Sequence, residues 1–137
     1  MRVAVLYYPV GRPERLKAIS QAIAAGIESQ GHQVSIIDVS RDDDRKLTIF
    51  EYICLGTEAV SYFSGKVPQQ IGRYLSSSGI VAGKRCFAFV AKRGPFSGRS
   101  LSRLMKQMEG EGMFLKYSEV LSSPGEAQEI GRRLNIG

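Results

Sequence analysis

Few side chains in this 137-residue chain are equipped to make or break bonds. The single histidine, His32, leaves no way to assemble a Ser-His-Asp set, so a hydrolase has no support. It cannot build a His cluster for zinc either, and the two cysteines, Cys54 and Cys86, form no Cys-x-x-Cys motif. Both lie in strongly apolar runs and read as buried structural thiols of a reducing compartment. As a disulfide they fail on register. Aligning the ends of their segments sets Thr57 beside Ala91, hence Cys54 beside Ala88 and two positions from Cys86. Three consecutive acids, Asp42, Asp43 and Asp44, suggest a metal site, but nothing else contributes ligands nearby, and they read as solvated turn residues.

What remains is charge. The formal excess of +6 is carried wholly by residues 69–137, where eleven basic side chains face five acidic ones; residues 1–68 balance at eight each. Lys84, Arg85, Lys92, Arg93, Arg99, Arg103 and Lys106 follow one another with no acid between them. Such a patch attracts a phosphate, an acidic protein or nucleic acid, or is simply a solvated face. Nucleic acid is the weakest of these, because aromatics do not interleave with the cations and no known binding motif is present.

The elements that position these groups follow from apolar spacing. With 43% apolar and 23% charged residues, the chain reads as one globular domain over residues 1–137, not as a disordered, collagenous or coiled-coil chain. No apolar stretch approaches the roughly 20 residues that span a bilayer. The opening MRVAVLYYPVG lacks the long apolar core and cleavage site of a signal peptide, so the expected location is cytoplasmic. Strands are predicted at Val3 to Tyr8, Val34 to Val39, Ile53 to Thr57, Cys86 to Ala91 and within Phe114 to Leu121. Leu16, Ile19, Ile23 and Ile27 recur at helical steps from about Pro13 to Ser29, with Gly31 as the stop. Further helices are predicted from near Pro68, around Leu101 to Met108, and over Pro124 to Leu134.

Alternating strands and helices imply an α/β fold: a three-layer α/β/α sandwich around a parallel five-stranded sheet of order 2-1-3-4-5. Ligands of such sheets bind beyond the carboxyl ends of the strands, at the switch point beside strands one and three. The loops of interest are therefore Pro9 to Arg15, Glu58 to Lys66 and Lys92 to Gly98.

The segment LGTEAVSYFSGKVP, residues 55–68, resembles the loop after the third strand in flavodoxins, where a Gly-Ser/Thr end precedes a Tyr-Phe-Gly-type turn and a helix. AKRGPFSGRSL, residues 91–101, is similar to that family's fourth loop, and Gly31-His32-Gln33-Val34 to its usual approach to the second strand. The resemblance covers nearly the whole chain and implies non-covalently bound FMN and electron transfer. By position, Tyr62 or Phe63 and Phe96 would flank the flavin ring, unless they merely cover helix entrances. Backbone N–H groups from Thr57, Glu58 and Ala59 and from Arg93 and Gly94 would address its polar edge.

The first loop departs from that family. Flavodoxins usually read Ser/Thr-x-Thr-Gly-Asn-Thr here, and this chain reads Tyr8-Pro9-Val10-Gly11-Arg12-Pro13, matching only at Gly11. The hydroxyls are gone, and Pro13 removes an amide donor. Pro9, Val10 and Gly11 would still frame the phosphate, with Arg12 and Arg15 at the positive helix end either rebuilding its site or marking a lost one. Were flavin bound, Lys92, Arg93 and Arg99 would stabilise its anionic reduced ring and raise the midpoint potential. Two functions stand: an FMN-binding redox protein that docks an acidic redox partner, and a cofactor-free interaction module whose basic surface binds an acidic partner.

Overall fold

The computed structural model describes residues 1–11, 13–41 and 46–137. The acidic turn expected at Asp42, Asp43 and Asp44, and the phosphate role expected of Arg12, lie outside the described residues.

Strands β1 (Arg2–Tyr8), β2 (Gln33–Asp38), β3 (Tyr52–Thr57), β4 (Arg85–Ala91) and β5 (Phe114–Leu121) form one sheet in the order β2-β1-β3-β4-β5, every pair parallel. Helices α1 (Pro13–Glu28), α2 (Gln70–Ser77), α3 (Ser97–Gly110) and α4 (Pro124–Arg133) cover both faces, as parallel pairing demands. The expected α/β sandwich of order 2-1-3-4-5 is thus the observed one.

Strand residues alternate between two cores. Val3, Val5, Tyr52, Cys54, Phe87 and Phe89 pack beneath the Leu16, Ile19, Ile23 and Ile27 stripe of α1 and Ala127 of α4. Ala4, Leu6, Ile53, Leu55, Cys86 and Ala88 pack against Ile71 and Leu75 of α2 and Leu104 and Met108 of α3. Among the described residues no helix joins β2 to β3; Leu47 and Phe50, both buried, close that side of the second core.

Two sequence expectations need correction. First, β3 and β4 pair one residue away from the expected register: Thr57 faces Val90, Cys54 faces Phe87, and Cys86 faces Ile53. A one-residue offset sends side chains to opposite faces, so the two thiols are separated by the sheet itself, and both are free. Gly56 explains the register: it lies opposite Phe89, whose ring occupies the space a β-carbon would need. Second, α2 begins at Gln70, not Pro68; Pro68 is buried in the approach to the helix.

The α1–α4 pair is unusually close. No β-carbon fits at Gly26 against the Gln128 carbonyl, nor at Gly131 against the Ile23 carbonyl, so two side-chain-free positions let the helix backbones touch. No helix among the described residues is long and apolar enough to cross a membrane.

Candidate functional site

The carboxyl ends of β1, β3 and β4 bring the three expected loops together. At the end of β3, Thr57 is buried and its hydroxyl donates to the Tyr8 carbonyl (2.8 Å), which ties β3 to the end of β1. The next residue turns inward. Glu58 is only 2% exposed, and its Oε1 accepts hydrogen bonds from the backbone N–H of Val10 (3.1 Å) and of Gly11 (3.0 Å). Successive amides of the first loop, the donors an incoming phosphate would use, thus already hold an anion supplied by the chain itself.

Arg93 closes the same corner. Its Nη1 donates to the Ala59 carbonyl (3.2 Å), and its guanidinium lies against Gly11, where a β-carbon would come within 3.2 Å of Nη1. The loop behind it is pinned by the Arg93 N–H donating to Ser97 Oγ (2.9 Å) at the start of α3. Arg15, expected near the phosphate, sits elsewhere. Its guanidinium donates to the carbonyls of Lys92 and Ser122 (3.2 Å for the second), bridging the exits of β4 and β5.

The third and fourth loops rest on one another. Val60 N–H donates to the Lys66 carbonyl (3.0 Å), folding residues 60–66 back on themselves. Gly94 has φ +73° and lies so close to the Tyr62 carbonyl that no side chain fits between them; a β-carbon at Gly65 would come within 2.7 Å of Arg99 Cβ. Tyr62 (54% exposed) and Phe63 (76% exposed) stand at the tip, their rings edge-to-face at 4.8 Å. Phe96 is half-buried, with the Arg99 guanidinium 5.1 Å above its ring. A recess of about 290 Å³ opens beside this corner, lined by Tyr8, Ser40, Gln70 and Arg73 among others.

These residues do not fit the phosphate end of FMN. A dianion at the first loop would meet the Glu58 carboxylate instead of vacant amides, Pro13 offers no N–H, and Arg15 is held on carbonyls. At the ring end, aromatic surface is present at Tyr62 and Phe63, but the two loops that would clasp a ring are packed together at Gly94.

The thiols offer no alternative chemistry: burial raises both, Cys86 to about 12, so neither supplies a thiolate near neutral pH. The seven-cation run also divides. Lys84 donates to the carbonyls of Thr48 (2.9 Å) and Phe50 (2.6 Å), and Arg85 begins β4, so both lie at the amino end of the sheet. Lys92 follows β4 at the crest, while Arg99, Arg103 and Lys106 run along the exposed face of α3. The helix runs back towards the amino end of the sheet, so Lys92 and Arg99 stand nearest the crest and Lys106 farthest from it.

The sequence named Glu58 only for its backbone amide, and Arg93 for its amide and as a cation at the flavin edge; the hydrogen bonds of their side chains are what organise the corner. The available signal was an acid directly after Thr57 in a chain whose first loop has lost its hydroxyls.

No protein-family model and no curated protein matches the chain. Solved structures do. The chain is similar to a flavodoxin from the domain Archaea (19% identity, TM-score 0.71, covering 97% of this chain and 95% of that one). It is similar also to oxidised Flavodoxin 1 from Bacillus cereus (13%, 0.72, 96% and 95%) and to two-electron reduced Megasphaera elsdenii flavodoxin (16%, 0.71, 95% and 96%). At such identities the likeness establishes the fold: this chain is flavodoxin-like from end to end.

Proposed function

We propose that, on this flavodoxin-like fold, the chain serves as a cofactor-free interaction module whose basic face docks an acidic protein. The observation that carries the reading is the Glu58 carboxylate seated on the Val10 and Gly11 amides. A carboxylate in that position repels a phosphate and occupies its donors, and each charge-assisted hydrogen bond so denied is worth roughly 1.5–3 kcal/mol. Lys92, Arg99, Arg103 and Lys106, with the exposed Tyr62 and Phe63 close by, form a surface suited to an acidic partner with an apolar recess. The compartment in which the chain meets that partner is taken to be the cytoplasm.

A second reading keeps FMN and electron transfer, and the exposed Tyr62 and Phe63 favour it as aromatic surface against which a ring could rest. Titration with FMN and with riboflavin, followed by flavin fluorescence, separates the two. For the module, neither flavin shows saturable binding up to about 100 μM. Glu58→Ser, which vacates the two amides, strengthens FMN binding at least tenfold without helping riboflavin. Saturable micromolar FMN binding by the unaltered chain, with riboflavin far weaker, would overturn the proposal and establish the second reading.

A further inference from the structure

The opposite end of the sheet holds a larger cavity, of about 500 Å³. It lies where α4 leaves the sheet. Gly26 and Gly131 let α4 lie tightly on α1, and the trough lies between the end of α4 and the first halves of the strands. The walls are Tyr52, Tyr117, Ile130 and Leu134, and the charged rim is Arg85, Lys116 and Arg133.

Three observations give this trough a binding chemistry. Tyr52 is fully buried, and its hydroxyl is without a hydrogen-bond partner among the described residues, although buried hydroxyls are ordinarily satisfied. The pairing of β4 with β5 skips Lys116: Cys86 faces Leu115 and Phe87 faces Tyr117. That bulge brings Lys116 and Tyr117 together to the cavity wall, and Tyr117 stacks on Phe87 at 5.6 Å to form a flat aromatic floor. Finally, two nearby carboxylates are already engaged, Glu129 with Arg133 Nε (3.0 Å) and Glu119 with the Tyr117 hydroxyl (2.8 Å), while among the described residues no acidic side chain lines the cavity itself.

We propose that this trough is a binding site for a small aromatic or aliphatic anion, a carboxylate on an apolar body, distinct from the corner at the carboxyl ends of the strands. The apolar body lies against Tyr117, Ile130 and Leu134. The carboxylate meets Lys116, with Arg85, whose Nη1 donates to the Gly137 oxygen (3.2 Å), adding positive charge beside it, and the Tyr52 hydroxyl supplies a buried donor. The volume falls within the range of ordinary small-molecule sites, and an apolar lining with a few convergent polar groups is their usual composition.

The test is NMR titration of the ¹⁵N-labelled full chain with 1-naphthoate and, separately, with the neutral 1-naphthamide. Naphthoate is expected to shift the amides of Tyr52, Tyr117, Ile130 and Leu134 saturably, and naphthamide to bind at least tenfold more weakly. Lys116→Glu, at an exposed position, should weaken naphthoate at least tenfold while leaving the amide signals of residues 57–63 in place. Equal affinity for acid and amide, shifts centred on the loops at the other end of the sheet, or no shift at millimolar ligand would each overturn the proposal. The wild-type comparison of acid with amide decides the matter even if the variant misfolds.

Discussion

A carboxylate held by two backbone amides is electrostatically equivalent to a bound anion, except that it never dissociates. Glu58 therefore satisfies the Val10 and Gly11 donors of the first loop without any ligand. Gly94 has a comparable role in the neighbouring loop. Its φ of +73° and its contact with the Tyr62 carbonyl together exclude any side chain. Gly94→Ala is expected to cost about 1–3 kcal/mol, read as a lower urea midpoint at unchanged slope. An unchanged midpoint would mean that the two loops do not depend on each other.

At the scale of elements, glycines in helices separate two opposing effects. Gly72 in α2 has open space around it, so Gly72→Ala should gain about 0.5–1 kcal/mol from helix propensity alone. Gly26→Ala gains the same propensity but drives a methyl into the α4 backbone, and a net loss of about 1–3 kcal/mol should follow. Thermal melts of both variants should move in opposite directions. The amphipathic stripe of α1 was legible in the sequence because burial on one face imposes a period, and the order of the strands followed from the rules of parallel crossovers. The register of β3 against β4 was not legible, since strand ends carry no ruler; it depends on the fit of Phe89 over Gly56 across the sheet. The site was legible in its location and not in its chemistry. Position along the chain picks out Thr57 to Ala59 and Arg93 to Gly94, but whether Glu58 turns inward is decided by contacts with a loop 47 residues away. The trough beside β5 left no trace in the sequence, because a bulge and a close helix pair are properties of packing.

For the molecule as a whole, charge and protonation set the working range. Cys86 is raised by burial from 9.0 to about 12, and Cys54 and Tyr52 are raised as well, chiefly by burial. The folded state therefore holds these protons more tightly than the unfolded chain does. The stability this contributes is complete below about pH 9 and is lost as pH rises from 9 towards 12. Urea midpoints should fall steeply across that window, and replacing both cysteines by Ala or Ser should flatten the decline. A midpoint independent of pH up to 11 would contradict burial of the thiols.

The bulge at Lys116 has a consequence for how these molecules share a solution. The sheet order makes β5 an outer strand, and it exposes Phe114 and Tyr117, a combination that ordinarily invites a neighbour to add its own strand. An extra residue kinks that margin, and its ammonium group lies 4.8 Å from the Phe114 ring. A visiting strand would find neither a straight run of free amides nor an uncharged surface, so the irregularity that shapes the trough also discourages fibrous self-association.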